Sequence, residues 1–136
     1  MSKQGKIMKQ IKGMAVACLL LSQSASAWEP CDNTCICDQQ CISDQSQEIK
    51  KRVEKYAHEH DKIKKGKVSF RKAKTFLEGV FDAKIKSEKG GSHFTVQLPC
   101  SLRNMTLIRE HGSKKETTKK NNGKNIKKIL AVFGIN

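Results

Sequence analysis

Residues 81–98 read Phe81-Asp-Ala-Lys-Ile-Lys-Ser-Glu-Lys-Gly-Gly-Ser-His-Phe-Thr-Val-Gln-Leu98. Short alternating segments lie on both sides of a turn at residues 89–91, which is typical of two β-strands joined tightly. We predict these strands over residues 81–87 and 93–98. Pro99 ends the second strand because proline removes a ladder hydrogen bond. The two strands should therefore pair as an antiparallel hairpin.

Further elements flank this hairpin. Ser69 suits a helix N-cap, and the apolar residues after it recur on one helical stripe at Phe70, Ala73, Phe76 and Leu77. A third strand is predicted over residues 105–109. Residues 112–122 are polar and are predicted to form a loop, and a second helix is predicted from Gly123 until Gly134 ends it, with a stripe of Ile126, Ile129, Leu130 and Phe133.

The order helix, three strands, helix predicts an α+β fold. Two helices would cover one face of a three-stranded antiparallel sheet and leave its other face in water. This α-β-β-β-α arrangement is similar to the double-stranded-RNA-binding domain, which recognises RNA by shape and phosphate contacts.

The first 27 residues have the three parts of a secretory signal peptide: a basic head, an apolar run at residues 14–21 and the ending Ala25-Ser-Ala27. A membrane anchor is the weaker alternative, because a spanning helix needs about 20 apolar residues. A lipoprotein at Cys18 is weaker still. Cleavage after Ala27 would give a periplasmic or secreted chain with no membrane segment, whereas an unused signal would leave the protein cytoplasmic.

Residues 28–46 are rich in cysteine and in turn formers, and are predicted to be a loop. An exported protein normally holds such closely spaced cysteines as disulfides. We therefore predict two disulfides that form a local knot independent of the main core, among the four cysteines Cys31, Cys35, Cys37 and Cys41. The alternative is a tetrahedral zinc site, although the spacing C-x3-C-x-C-x3-C is not the usual paired C-x2-C. Cys100 would then be left over as a buried, free or intermolecular thiol.

Residues 47–65 are mostly charged, with a few apolar residues at roughly helical spacing, and predict a solvated linking helix that Gly66 ends. His58 and His60 lie two residues apart, so they would point to different faces and are interpreted as exposed polar residues. The predicted organisation is therefore a signal peptide, the Cys-rich loop segment, this linking helix and an RNA-binding domain at residues 66–136.

The charge of the chain favours anionic partners. It contains 27 Lys plus Arg against 13 Asp plus Glu, a formal net charge of +14. With one Trp, one Tyr and five Phe, nucleic acid should be held mainly through its phosphates rather than through stacked bases.

Four motifs in order resemble the HicA family, the small toxins of bacterial toxin–antitoxin pairs: Gly91-Ser-His-Phe94, Thr106-Leu-Ile-Arg-Glu-His-Gly112, Gly123-Lys-Asn-Ile-Lys-Lys-Ile-Leu130 and Phe133-Gly-Ile135. The resemblance covers about residues 67–136. It implies the double-stranded-RNA-binding-domain-like fold, endoribonuclease activity on mRNA without metal or other cofactor, and neutralisation by a HicB-like antitoxin. His93 is the position that matches the family's catalytic histidine.

The chemistry of RNA cleavage through the 2′-hydroxyl agrees with this resemblance. It needs a proton acceptor that titrates near neutrality, which His93 supplies, and a cation near the phosphate. Glycine at the hairpin turn lets the backbone approach a phosphate closely. The predicted RNA-binding residues are the nearby cations and turn residues Lys84, Lys86, Lys89, Gly91, Ser92 and Arg109. His111 is interpreted as a turn residue.

The predicted export signal conflicts with an activity on mRNA, which is found in the cytoplasm. Three hypotheses for the function are therefore kept. The first is a HicA-like mRNA-binding protein acting as a metal-independent endoribonuclease. The second is an exported, non-catalytic module that binds RNA or another polyanion and is stabilised by disulfides. The third is a cysteine-rich metal-binding or redox protein.

Overall fold

The computed structural model describes residues 28–31 and 37–136. Their elements follow in the order α1 (Gln39–Lys55), α2 (Ala57–Lys64), α3 (Phe70–Phe81), β1 (Lys84–Ser87), β2 (His93–Gln97), β3 (Met105–Ile108), a short 3-10 helix (Gly112–Lys114) and α4 (Lys115–Val132). The fold is α+β with an antiparallel three-stranded sheet, as predicted. The predicted signal peptide lies outside the described residues.

The sheet has the strand order β1-β2-β3 and presents one face to the core. Ile85 lies opposite Val96, and Val96 lies opposite Met105, so these three side chains share the inner face. Val96 and Met105 are completely buried there. The alternate residues form the outer face, where His93 and Thr106 are exposed, so the prediction of one wet face is confirmed.

Helix α3 begins where the sequence indicates. The Ser69 hydroxyl accepts a hydrogen bond from the Lys72 N–H at 3.3 Å, and the Glu110 carboxylate accepts one from the Phe70 N–H at 2.9 Å. Two of the N–H groups that a helix start leaves unpaired are thereby satisfied. The helix continues to Phe81 and ends at Asp82 in the left-handed conformation, so β1 begins three residues later than predicted.

The prediction of a loop at residues 112–122 is wrong, because most of that stretch belongs to α4. Its residues lack an apolar stripe, but the helix is fixed by a buried amide, Asn122. The Asn122 side chain accepts from the Ile108 N–H at 3.2 Å and donates to the Ile108 carbonyl at 2.9 Å. It therefore occupies backbone groups at the edge of β3 that another strand would otherwise pair with.

In the N-terminal half, one prediction is wrong and another is confirmed only in part. Residues 39–46 are not a loop but the first turns of α1, which Asp38 caps by accepting the Cys41 N–H at 3.0 Å. Residues 47–65 are helical as predicted, in α1 and α2, but they are not a solvated linker, since Ile49, Val53 and Ile63 are buried in the same core as the sheet. Few apolar residues are present in that segment, but they lie on one stripe and face the domain.

The disulfides correct the idea of an independent cysteine knot. Cys31 pairs with Cys37, and Cys41 pairs with Cys100, which was expected to be left over. Cys41 lies at the start of α1, and Cys100 is buried in the loop after β2. The second bridge therefore ties α1 to that loop. Three of the four candidate zinc ligands are thus oxidised, and Cys35 lies outside the described residues.

Replacing Asn122 by alanine should destabilise the protein by about 2–3 kcal/mol, because the Ile108 N–H and carbonyl lose their partners in a buried place. Urea unfolding measures the loss. Asn121→Ala is the matched control, since Asn121 is exposed, and should change the free energy of unfolding by less than about 0.5 kcal/mol. Equal effects of the two variants would contradict the structural role of Asn122.

The two disulfides should differ in their contribution to stability. Cys41–Cys100 closes a sequence separation of 59 residues and Cys31–Cys37 one of 6. From loop-closure entropy we expect the free energy of unfolding to fall by about 4 kcal/mol when Cys41 and Cys100 are both replaced by serine. Replacing Cys31 and Cys37 in the same way should lower it by about 2 kcal/mol. Urea unfolding without reductant tests this, and a larger loss from the short loop would contradict it.

Candidate nucleic-acid interface

His93 is the first residue of β2 and its imidazole is exposed on the outer face of the sheet. Its Nδ1 lies 3.5 Å from the Ser92 hydroxyl, the limit of a hydrogen bond. The described residues give the ring no other hydrogen-bonding side chain. The imidazole is therefore open to an incoming ligand.

The predicted cations Lys84 and Lys86 lie on the outer face of the sheet with His93, but at different distances from it. Lys86 pairs with Thr95 in the hairpin register and is a diagonal neighbour of His93, within reach of a long side chain. Lys84 pairs with Gln97, four residues along β2 from His93, which is roughly 13 Å. Lys86 is thus the cation placed to act beside His93.

An acidic residue that the sequence analysis did not consider lies directly opposite His93. The Glu88 N–H donates to the His93 carbonyl at 3.0 Å, which continues the hairpin register. The Glu88 carboxylate accepts a hydrogen bond from the Thr95 hydroxyl on the outer face. On β1 and its continuation, His93 therefore has one cation, Lys86, and one anion, Glu88, as neighbours.

The predicted tight turn at residues 89–91 is confirmed. Lys89 and Gly90 have positive φ values of 52° and 71°, and the Gly91 N–H donates to the Glu88 carbonyl at 3.1 Å. This turn places Lys89, Gly91 and Ser92 at the tip of the hairpin, next to His93. Gly91 is exposed, so its backbone is open to a ligand.

Arg109 does not join the other predicted residues. Ile108 is the residue opposite His93, so Arg109 falls on the helix side of the sheet. Its guanidinium carbon lies 5.0 Å from the ring centroid of Phe94 and 5.4 Å from that of Phe70. The geometry gives Arg109 two cation–π contacts rather than a place beside His93.

The remaining histidines make no metal pair. Nε2 of His58 lies 2.9 Å from the Lys72 ammonium, and Nε2 of His60 lies 2.9 Å from the carbonyl oxygen of Asn136. His60 is half-buried, with its ring stacked 6.1 Å from Phe76, which differs from the exposed position predicted. In the described part of the chain, no three or more His, Cys, Asp or Glu side chains gather where they could hold a metal ion.

Among residues 28–31 and 37–136, no helix combines the length and apolar composition needed to cross a bilayer. Comparisons with protein-family models, curated proteins and solved structures found no match for this chain. The HicA resemblance therefore stays a prediction that its motifs alone support.

Arg109→Ala should lower the free energy of unfolding by about 1 kcal/mol, because it removes contacts with two aromatic rings. Arg103→Ala removes the same charge from an exposed side chain and should change stability by less than about 0.5 kcal/mol. Thermal unfolding compares the two variants. Equal stability of both would show that the aromatic contacts contribute nothing.

Proposed function

We propose that this protein is an exported, HicA-like RNA-binding protein and that His93 makes it a metal-independent endoribonuclease. The observation that carries the proposal is the open imidazole of His93 beside Lys86 and the glycine turn on an otherwise wet sheet face. A base, a cation and an accessible backbone are the groups that RNA cleavage needs.

In this proposal neutral His93 accepts the proton of a ribose 2′-hydroxyl, and the 2′-oxygen attacks the adjacent phosphorus. The bond from phosphorus to the 5′-oxygen breaks, and the leaving oxygen takes a proton from solvent. The products are a 2′,3′-cyclic phosphate and a 5′-hydroxyl end. The Lys86 ammonium stabilises the negative charge that develops on the phosphate.

Export is supported by the disulfides, which form and persist in oxidising compartments. Cys31–Cys37 and Cys41–Cys100 are consistent with a periplasmic or secreted protein. We therefore propose that residues 1–27 are a signal peptide and that the RNA target lies outside the cytoplasm. A HicB-like antitoxin becomes the expected partner only if the protein stays in the cytoplasm with mRNA.

A second candidate function is an exported module that binds RNA or another polyanion without cleaving it. Two observations favour it: Glu88 lies opposite His93, and Arg109 points to the other side of the sheet. Both reduce the positive charge available to a phosphate at His93. This candidate predicts that binding is unchanged when His93 is removed.

His93→Ala should slow RNA cleavage by about 10²–10⁴-fold, because it removes the general base. The measurement is cleavage of a labelled single-stranded RNA by the disulfide-bonded full chain with EDTA present. His111→Ala is the matched control, since His111 is an exposed histidine outside the hairpin, and should cleave at the wild-type rate.

Two results would contradict the ribonuclease. Activity that EDTA removes would exclude a metal-independent reaction. Wild-type protein that binds RNA in a salt-sensitive way but does not cleave it would favour the binding module instead.

A further inference from the structure

A second basic surface lies on the helix side of the molecule, where the connection from α2 to α3 meets α4. We call it the helix-side basic surface. Four of its lysines come from α2 and the residues that follow it, and four from α4: Lys62, Lys64, Lys65, Lys67, Lys119, Lys120, Lys124 and Lys127. None of these lysines belongs to the predicted RNA-binding residues around His93.

Close backbone packing brings these two segments together. A Cβ on Gly123 would lie 3.1 Å from the carbonyl carbon and oxygen of Gly66, so only glycine allows this approach without a shift. The Val68 N–H donates to the Lys119 carbonyl at 3.2 Å. The Lys127 ammonium lies 3.9 Å from the position that a Cβ on Gly66 would take. The two runs of lysines are therefore adjacent where Gly66 packs against α4.

Two carboxylates compensate only part of this charge. Asp61 pairs with Lys65 at 3.1 Å, and Glu116 pairs with Lys67 at 2.7 Å. The hydrogen bond and charge of Lys65 lower the pKa of Asp61, and those of Lys67 lower the pKa of Glu116, with smaller contributions from neighbouring lysines. Lys119 lies 4.0 Å from the same Glu116 carboxylate. Of the eight lysines of this surface, the five without a carboxylate within 4.0 Å among the described residues are Lys62, Lys64, Lys120, Lys124 and Lys127.

The spacing of these charges suits a row of phosphates. Lys120, Lys124 and Lys127 follow one another at i, i+4 and i+7, so they lie on one face of α4 at intervals of roughly 5–6 Å. The apolar residues between the lysines, Ile63, Val68 and Ile126, are completely or almost completely buried. An interfacial membrane helix needs an exposed apolar face, so the surface fits a soluble polyanion better than a lipid bilayer.

We propose that the helix-side basic surface is a second RNA-binding surface that holds the phosphodiester backbone independently of base sequence. The identity of the polyanion as RNA rests on the proposed function. The surface lies on the helix side of the sheet, whereas His93 lies on its outer face. It supplies affinity for RNA and takes no part in the bond-breaking step.

The test uses the disulfide-bonded full chain and a labelled single-stranded RNA of about 20 nucleotides. The variant carries Lys64→Gln, Lys124→Gln and Lys127→Gln, and fluorescence anisotropy gives its affinity between about 50 and about 200 mM salt. Losing three phosphate contacts should weaken binding at least about tenfold at the lower salt and reduce the slope of log affinity against log salt by about 2.

The matched control removes the same charge from exposed lysines of α1 by Lys50→Gln, Lys51→Gln and Lys55→Gln. It should keep the wild-type salt slope. Equal losses in both triple variants would mean that only net charge matters and would overturn the proposal, as would unchanged binding by the first variant. Circular dichroism confirms that both variants fold.

Cleavage and lipid measurements separate this proposal from its alternatives. If wild-type protein cleaves RNA, the first variant should keep kcat and raise KM. If wild-type protein binds RNA without cleaving it, the ribonuclease fails while the binding comparison still tests this surface. A variant that loses binding to phosphatidylglycerol vesicles but keeps its affinity for RNA would assign the surface to anionic lipid and overturn the proposal.

Discussion

The architecture depends on one helix that packs against helices and sheet alike. Helix α3 contacts α1, α2 and α4 as well as β1 and β3. Its buried side chains include Phe76 and Phe81, and Phe81 packs against Phe133, the residue after α4, at a centroid distance of 5.6 Å. Burying such a side chain contributes about 1.5–3 kcal/mol, so the sheet and the N-terminal helices both draw their stability from contacts with α3.

This central position explains why the N-terminal half cannot be a separate unit. An α-β-β-β-α layer alone leaves the far side of α3 uncovered, and α1 and α2 cover it with Ile49, Val53 and Ile63. Tyr56 at the junction of α1 and α2 packs its ring over Gly79 of α3. The Cys41–Cys100 bridge then fixes the start of α1 to the sheet end of the domain. Such a link resists local opening of the N-terminal helices.

The hairpin could be predicted because its determinants are local. Residue alternation and a glycine turn decide which side chains share a face, and His93 and Lys86 fall on the outer face accordingly. The same rule excludes Arg109 once Ile108 is placed opposite His93, but that register depends on the loop between β2 and β3. Local signals did not indicate the buried Asn122 or the bridge to Cys100, because both depend on residues that are distant in sequence.

Under the proposed function, the distribution of charge separates the binding of RNA from its cleavage. Around His93, Glu88 offsets part of the charge of Lys86 and Lys89, so this part of the sheet offers an RNA phosphate only a small excess of positive charge. The helix-side basic surface has eight lysines and two carboxylates, which is a far larger excess of positive charge. Since non-specific affinity for RNA comes mainly from phosphate contacts, a protein arranged in this way would bind through its helices and present His93 to only a part of the chain. In that arrangement Glu88 weakens RNA binding little, because the sheet face does not have to supply the affinity.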